Sequence, residues 1–241
     1  MAGWWNRYLT RGSWAYLFLA AGAILLTMSV VLNEGGALNF RPEILAGKII
    51  VIDPGHGGVD GGAVSALGDF EKEITLQIGI KLANRLRTAG SADVVLTRDR
   101  DLDYYTPGKG GKRNDLERRI EITQNSGAGL FISIHANAIK GKQWSGAQVF
   151  YHPGSEEGKK LAAIMQANLK DFPPGNKRKE KSEDYYILRK STIPAVIVEV
   201  GFLSSPDEAG RLKNEGYQEQ LAEAIFRGIV QYEAEKAGVG Q

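Results

Sequence analysis

Hydrophobic positions along the chain change their spacing several times, and each spacing predicts an element. The first apolar run, WAYLFLAAGAILLTMSVVL (14–32), carries no formal charge. As a helix it is long enough to cross a ~30 Å hydrocarbon layer. Arg7 and Arg11 precede it, Glu34 follows it, and Trp4, Trp5, Tyr8, Trp14 and Tyr16 gather at one end like an interfacial belt. Positive charge ahead of the run predicts a cytoplasmic N-terminus (1–13), a transmembrane anchor (14–32) and an exported remainder. A cleaved signal peptide is the competing reading, and it exports the remainder too. The run exceeds the ~7–15-residue core of such signals, and no small-x-small cleavage site follows it. Residues 33–46 mix glycine, proline and charge and read as a linker to a domain at 47–236.

Within that domain the spacing alternates between strand and helix patterns. KIIVID (48–53) is a short apolar run and predicts a buried strand. Residues 71–89 carry Ile74, Ile78 and Leu82 at four-residue spacing, the stripe of an amphipathic helix. A strand at 93–98, a helix at 115–126 with Gly127 as its stop, and strands at 130–136 and 146–152 follow. Then come a helix at 155–170, a buried strand at 195–201 and a helix at 217–236. Such alternation predicts an α/β domain with a mostly parallel central sheet flanked by helices, behind one N-terminal transmembrane helix. Residues 99–112 and 171–184 lack an apolar pattern and read as surface loops.

Composition narrows the chemistry. The chain has no cysteine, which removes thiol nucleophiles, disulfides and cysteine-held metals. A net charge of +2 argues against a nucleic-acid partner. Any metal must be held by carboxylates and by His56, His135 or His152. Ligands of open α/β sheets sit beyond the carboxyl ends of strands, where His56, His135 and Glu199 each follow an apolar run. At the start of the first domain helix, Glu71 lies three residues before Ile74 and shares the buried face, while Glu73 aligns with Gln77 and Lys81. Two histidines and a glutamate form a set that zinc hydrolases use, and Glu199 would then act as general base. Taken singly, a histidine at a strand end is more often a hydrogen-bonded structural residue. His152 is the alternative ligand, and Asp53 either ligates, or fixes the loop beside Pro54-Gly55, or orients His56 from behind.

IVIDPGHGG (50–58), the Glu71-Lys72 pair, FISIHANA (131–138) and VEVGFLS (198–204) together resemble the zinc-dependent N-acetylmuramoyl-L-alanine amidases. The four blocks stand in that family's order, over about 47–235; Ser205 stands where many members have asparagine. The resemblance implies a six-stranded mixed sheet and one Zn²⁺ on His56, Glu71 and His135. It also implies Glu199 as catalytic residue and peptidoglycan as substrate. The Gly-Lys-rich loop before DLERR (115–119) and the run KQWSGAQ (142–148) are similar to the germination-specific branch of the family. That likeness implies removal of peptide stems in spore cortex, with a separate deacetylase completing muramic δ-lactam. Arg119 and Arg189 are candidates for holding acidic groups of the substrate. Two rivals stand beside this reading: another zinc hydrolase of the wall, and a non-catalytic, membrane-tethered wall-binding protein.

Overall fold

The computed structural model describes residues 40–105, 107–108, 110–141 and 144–239. The expected anchor at 14–32 lies outside the described residues, and no helix among those described is long and apolar enough to cross a membrane. The segment expected to be linker enters the fold at its end. Pro42–Leu45 forms a single 3-10 turn, and Leu45 is fully buried. Its apolar side chain finds a place against the domain that its Gly- and Pro-containing neighbourhood did not reveal.

Six strands form one sheet: β1 (Ile49–Pro54), β2 (Asp93–Leu96), β3 (Leu130–Asn137), β4 (Gln148–Tyr151), β5 (Lys181–Ser182) and β6 (Ala195–Phe202). Their order is β2-β1-β3-β6-β4-β5. The first four in that order run parallel, β4 is antiparallel to β6, and β5 is parallel to β4. The sheet is therefore mixed and flanked by helices. Strands β1, β3 and β6 are buried along nearly their whole length, the pattern of strands covered on both faces.

The helices are α1 (Glu71–Ala89), α2 (Lys112–Asn125), α3 (Glu156–Asn168), α4 (Tyr186–Lys190), α5 (Pro206–Leu212) and α6 (Glu215–Lys236). One face of the sheet carries Val51, Phe131, Phe150 and Ile197, packed against Ile120 of α2 and Ile187 and Leu188 of α4. Helix α1 buries Ile74, Ile78, Leu82 and Leu86, the stripe its spacing predicts, each contributing roughly 1.5–3 kcal/mol. Gly79 lets α1 approach β1 closely, since a Cβ there would lie 2.8 Å from Pro54 Cγ. The helix is thereby seated directly behind the residues leading to His56.

Three short elements, β5, α4 and α5, lie where the sequence shows no periodicity. Each is too short to display a period, and each is held by tertiary contact instead. Strand β5 arises inside the 171–184 segment by pairing with β4.

Candidate metal centre

The candidate residues meet at the carboxyl edge of the sheet. His56 follows β1 by two residues, His135 lies in β3, Glu199 lies opposite it in β6, and Glu71 opens α1. Ligand atoms of His56, Glu71 and His135 all lie within 4.8 Å of one another. His56 Nε2 is 3.1 Å from Glu71 Oε2, and His135 Nδ1 is 3.0 Å from Glu71 Oε1.

Backbone donors fix the Glu71 carboxylate as well. The Ala63 N–H donates to Oε2 at 2.8 Å and the Ala136 N–H to Oε1 at 2.9 Å. Burial works against the charge of Glu71, yet the bonds and charges of His135 and His56 outweigh it and hold this carboxyl well below the usual range. Burial likewise opposes the charged form of His135, but Glu71 raises it above its ordinary value.

Glycine makes this convergence sterically feasible. A Cβ on Gly55 would lie 2.3 Å from His135 Cε1, so the imidazole occupies the space a side chain would need. His56 itself holds φ 61°, a left-handed conformation uncommon outside glycine.

Two buried arginines hold that loop in place. Arg119 Nη1 donates to Asp53 Oδ1 at 2.7 Å and to the Pro54 carbonyl at 2.9 Å. Its Nη2 donates to the His56 carbonyl at 2.7 Å, and its Nε to Asp115 Oδ2 at 2.8 Å. Arg98 donates to the carbonyls of Pro54, Gly55 and Lys72. Burial, followed by the nearby charge of Arg119, pushes Arg98 down to about 10. For Arg119, burial is outweighed by Asp53 and Asp115, which raise it. The expectation that Arg119 holds acidic substrate groups is thus corrected. Only 2 % of its surface is exposed, and its guanidinium points into the loop's own carbonyls. Arg189 is exposed on the last turn of α4 and pairs with Asp184. His152 stands apart from the cluster, 3.5 Å from Asp184.

Asp53 does not touch His56. Thr97 and Ser133 donate to its two oxygens, and Arg119 holds its carboxyl below the usual range although burial opposes this. The carboxylate beside His56 is Asp60, whose Oδ2 lies 3.0 Å from Nδ1 and 2.9 Å from Lys112 Nζ. Asp60 escaped the sequence reading because a glycine-rich loop has no period to report a side chain's direction. The segment beginning at Asp99 has a comparable role. Asp101 accepts from the Gly58 N–H and Lys72, and Asp103 accepts from the Val59 N–H.

Glu199 differs from Glu71 in every respect except chemistry. Its Oε2 is shielded from solvent and makes no hydrogen bond. Burial, reinforced by the charge of Glu71 and opposed by His135 and His56, pushes this carboxyl up to about 7. Tyr185 stands nearby with its ring edge-on to Phe150, 5.6 Å between centroids. Its phenol is raised by burial and then by the charge of Glu199.

Two imidazoles and a fixed carboxylate beside a second, unpartnered carboxylate are the makings of a metal-dependent hydrolase. The family model described as N-acetylmuramoyl-L-alanine amidase matches residues 50–231, and the chain belongs to that family. It is 41% identical to the germination-specific N-acetylmuramoyl-L-alanine amidase of Bacillus subtilis, over 80% of this chain and 82% of that one. The CwlD amidase of Clostridioides difficile, solved in complex with the GerS lipoprotein, superposes with a TM-score of 0.72 and 38% identity. That match covers 77% of this chain and 98% of the other. The catalytic domain of CwlV, an N-acetylmuramoyl-L-alanine amidase from Bacillus (Paenibacillus) polymyxa, gives 0.68 and 29%, covering 80% and 99%. The protein is accordingly an enzyme, an amidase acting on peptidoglycan.

Two outcomes are expected from this geometry. Gly55→Ala displaces the His135 imidazole, so zinc titrated into the metal-free variant should bind at least about tenfold more weakly, a loss of ~1.4 kcal/mol. Unchanged affinity would show that the ring is free to move. Glu199, with a folded pKa raised above the unfolded value, contributes stability at low pH that is lost as pH rises toward about 7. Denaturant unfolding of the metal-free protein at pH 5 and pH 8 should therefore show a loss that Glu199→Gln reduces. An equal loss in the variant would place the titration elsewhere.

Proposed function

We propose that one zinc ion is held by His56, Glu71 and His135, and that Glu199 moves the proton in the hydrolysis. The carrying observation is the meeting of those three donors beside a shielded carboxylate oxygen with no partner. Two imidazole nitrogens and a carboxylate are a donor set that would suit a catalytic zinc ion. Zinc there supplies a Lewis acid and eases ionisation of water near neutral pH.

The chain's own residues do the rest. Hydrolysis delivers the hydroxyl of water to the lactyl carbonyl carbon of N-acetylmuramic acid, and a proton to the departing nitrogen of L-alanine. Glu199, poised near neutrality, takes that proton from water and passes it to the amine as the C–N bond breaks. Asp60 orients His56, and the Arg98–Arg119 pair holds the His56 loop so that the imidazole does not swing away. Arg189 is the accessible candidate for an acidic group of the stem.

The likeness to the germination-specific relative supports a role in spore cortex. There the enzyme strips whole stems, and a separate deacetylase frees the amine that closes the muramic δ-lactam. The uncharged run at 14–32 supports a tether that leaves the domain outside the cytoplasm. The same residues frame the rival hydrolases of the wall, which cut other bonds.

Mass spectrometry of cortex fragments decides the bond. Intact stems beginning with L-alanine are expected, with no lactam unless a deacetylase is added; cleaved stems or lost acetyl groups would point to a rival hydrolase. Glu199→Gln should retain zinc while turnover falls by ~10²–10⁴, whereas Glu71→Gln should lose zinc. The reverse pattern would exchange the two roles. Cell fractionation tests the tether: the full chain should sediment with membranes, and recovery in the soluble fraction would refute it.

A further inference from the structure

Past the carboxyl end of β6 lies a surface that the hydrolysis leaves unused. Strand β4 is antiparallel to β6, with Gln148 opposite Glu199. Phe202, three residues after Glu199, is the last residue of β6, and Trp144, four residues before Gln148, therefore lies toward the same end. The two rings stack at 6.5 Å between centroids and 22° between planes. Phe202 is fully buried, whereas Trp144 remains 36 % exposed.

The Arg178 guanidinium carbon sits 4.4 Å from the Phe202 centroid and 5.8 Å from that of Trp144. It is pinned there, since Nε donates to the Ser145 carbonyl at 2.6 Å and Nη1 to Gln148 Oε1 at 2.9 Å. Gln148 thus ties this guanidinium to the residue facing Glu199. Trp144, Arg178, Pro173, Pro174 and Lys177 border a cleft of about 430 Å³, within the ~300–1,000 Å³ range of ligand sites. Among the described residues, no acidic side chain lines it.

A partly exposed indole stacked on a fixed ring beside a fixed cation loses little freedom on binding. Its chemistry matches a pyranose, whose C–H face stacks on an aromatic ring while hydroxyl and acetamido oxygens accept from a guanidinium or ammonium. The lining is cationic, which disfavours a basic ligand. Three strand residues separate Phe202 from Glu199, about 10 Å at ~3.3 Å per residue. That is a distance one or two sugar rings bridge.

We propose that Trp144 and Arg178 form a subsite for a hexosamine ring of the glycan strand flanking the muramoyl residue whose amide is cut. The proposal rests on the amidase reading above. It makes Trp144 a specificity residue that recognises polymer rather than the scissile bond.

The full-length enzyme tests it on two substrates with the same stem, one a single muramoyl residue and one a glycan oligomer. Trp144→Ala should raise KM for the oligomer about tenfold, with kcat within about twofold. It should leave the single-residue substrate unchanged, and Trp144→Phe should keep most of the wild-type preference. Stem-free oligomers should quench tryptophan fluorescence in the wild type and not in Trp144→Phe. Equal losses on both substrates would make Trp144 a structural residue, and no loss on the oligomer, or no quenching, would overturn the subsite. A wild-type enzyme that releases no stem from either substrate would instead overturn the amidase reading.

Discussion

The buried ion pair between Arg119 and Asp53 is the constraint on which the site's geometry rests. The carbonyls of Pro54, Gly55 and His56, where β1 gives way to the loop, each accept from a guanidinium, and those of Pro54 and Gly55 do so in a buried setting. Buried carbonyls need donors, and the two guanidiniums of Arg98 and Arg119 provide them. A guanidinium in such a place is tolerable only with counter-charge, which Asp53 and Asp115 supply. Asp53 in turn is fixed by Thr97 of the chain after β2 and Ser133 of β3. The strained conformation of His56 is thus anchored across three strands and α2. Removing one partner would leave a buried charge uncompensated, a loss of about 3–5 kcal/mol in comparable cases.

On that foundation, two carboxylates of the same kind acquire opposite character. Glu71 receives two backbone N–H groups and faces two imidazoles, so its charged form is favoured. Glu199 faces the same cluster from β6 with one oxygen unpartnered, and burial favours its neutral form. Environments that drive two like groups apart in this way are how one site provides both a permanent anion and a proton carrier. The separation depends on placement: Glu71 sits where the loop after β1 and the end of β3 bring donors, and Glu199 keeps one oxygen without any.

The surface around this centre is built from the segments without periodicity. The chain from Asp99 onward sends Asp101 and Asp103 back to hold the glycine loop, and Lys112 to hold Asp60. The segment 171–184 supplies β5 and Arg178. Both segments are held by polar contacts between residues far apart in sequence.

The antiparallel pairing of β4 with β6 is a tertiary feature, while the sequence by itself determined the alternation of strand and helix and the buried stripe that distinguishes Glu71 from Glu73. These follow from local periods of about 2 and 3.6 residues, which any window of the chain displays. It also placed His56, His135 and Glu199 at strand ends, because an apolar run interrupted by one polar residue is visible without coordinates. Only the tertiary structure decided which side chains surround them. Arg119 has the sequence of a surface residue on a charged helix, yet folding turns it onto the Asp53 carboxylate 66 positions away. Asp60, Arg98 and Trp144 were equally illegible, since a loop residue's direction is set by contacts distant in sequence. Periodicity reports how a chain is buried; it carries no record of which buried groups meet.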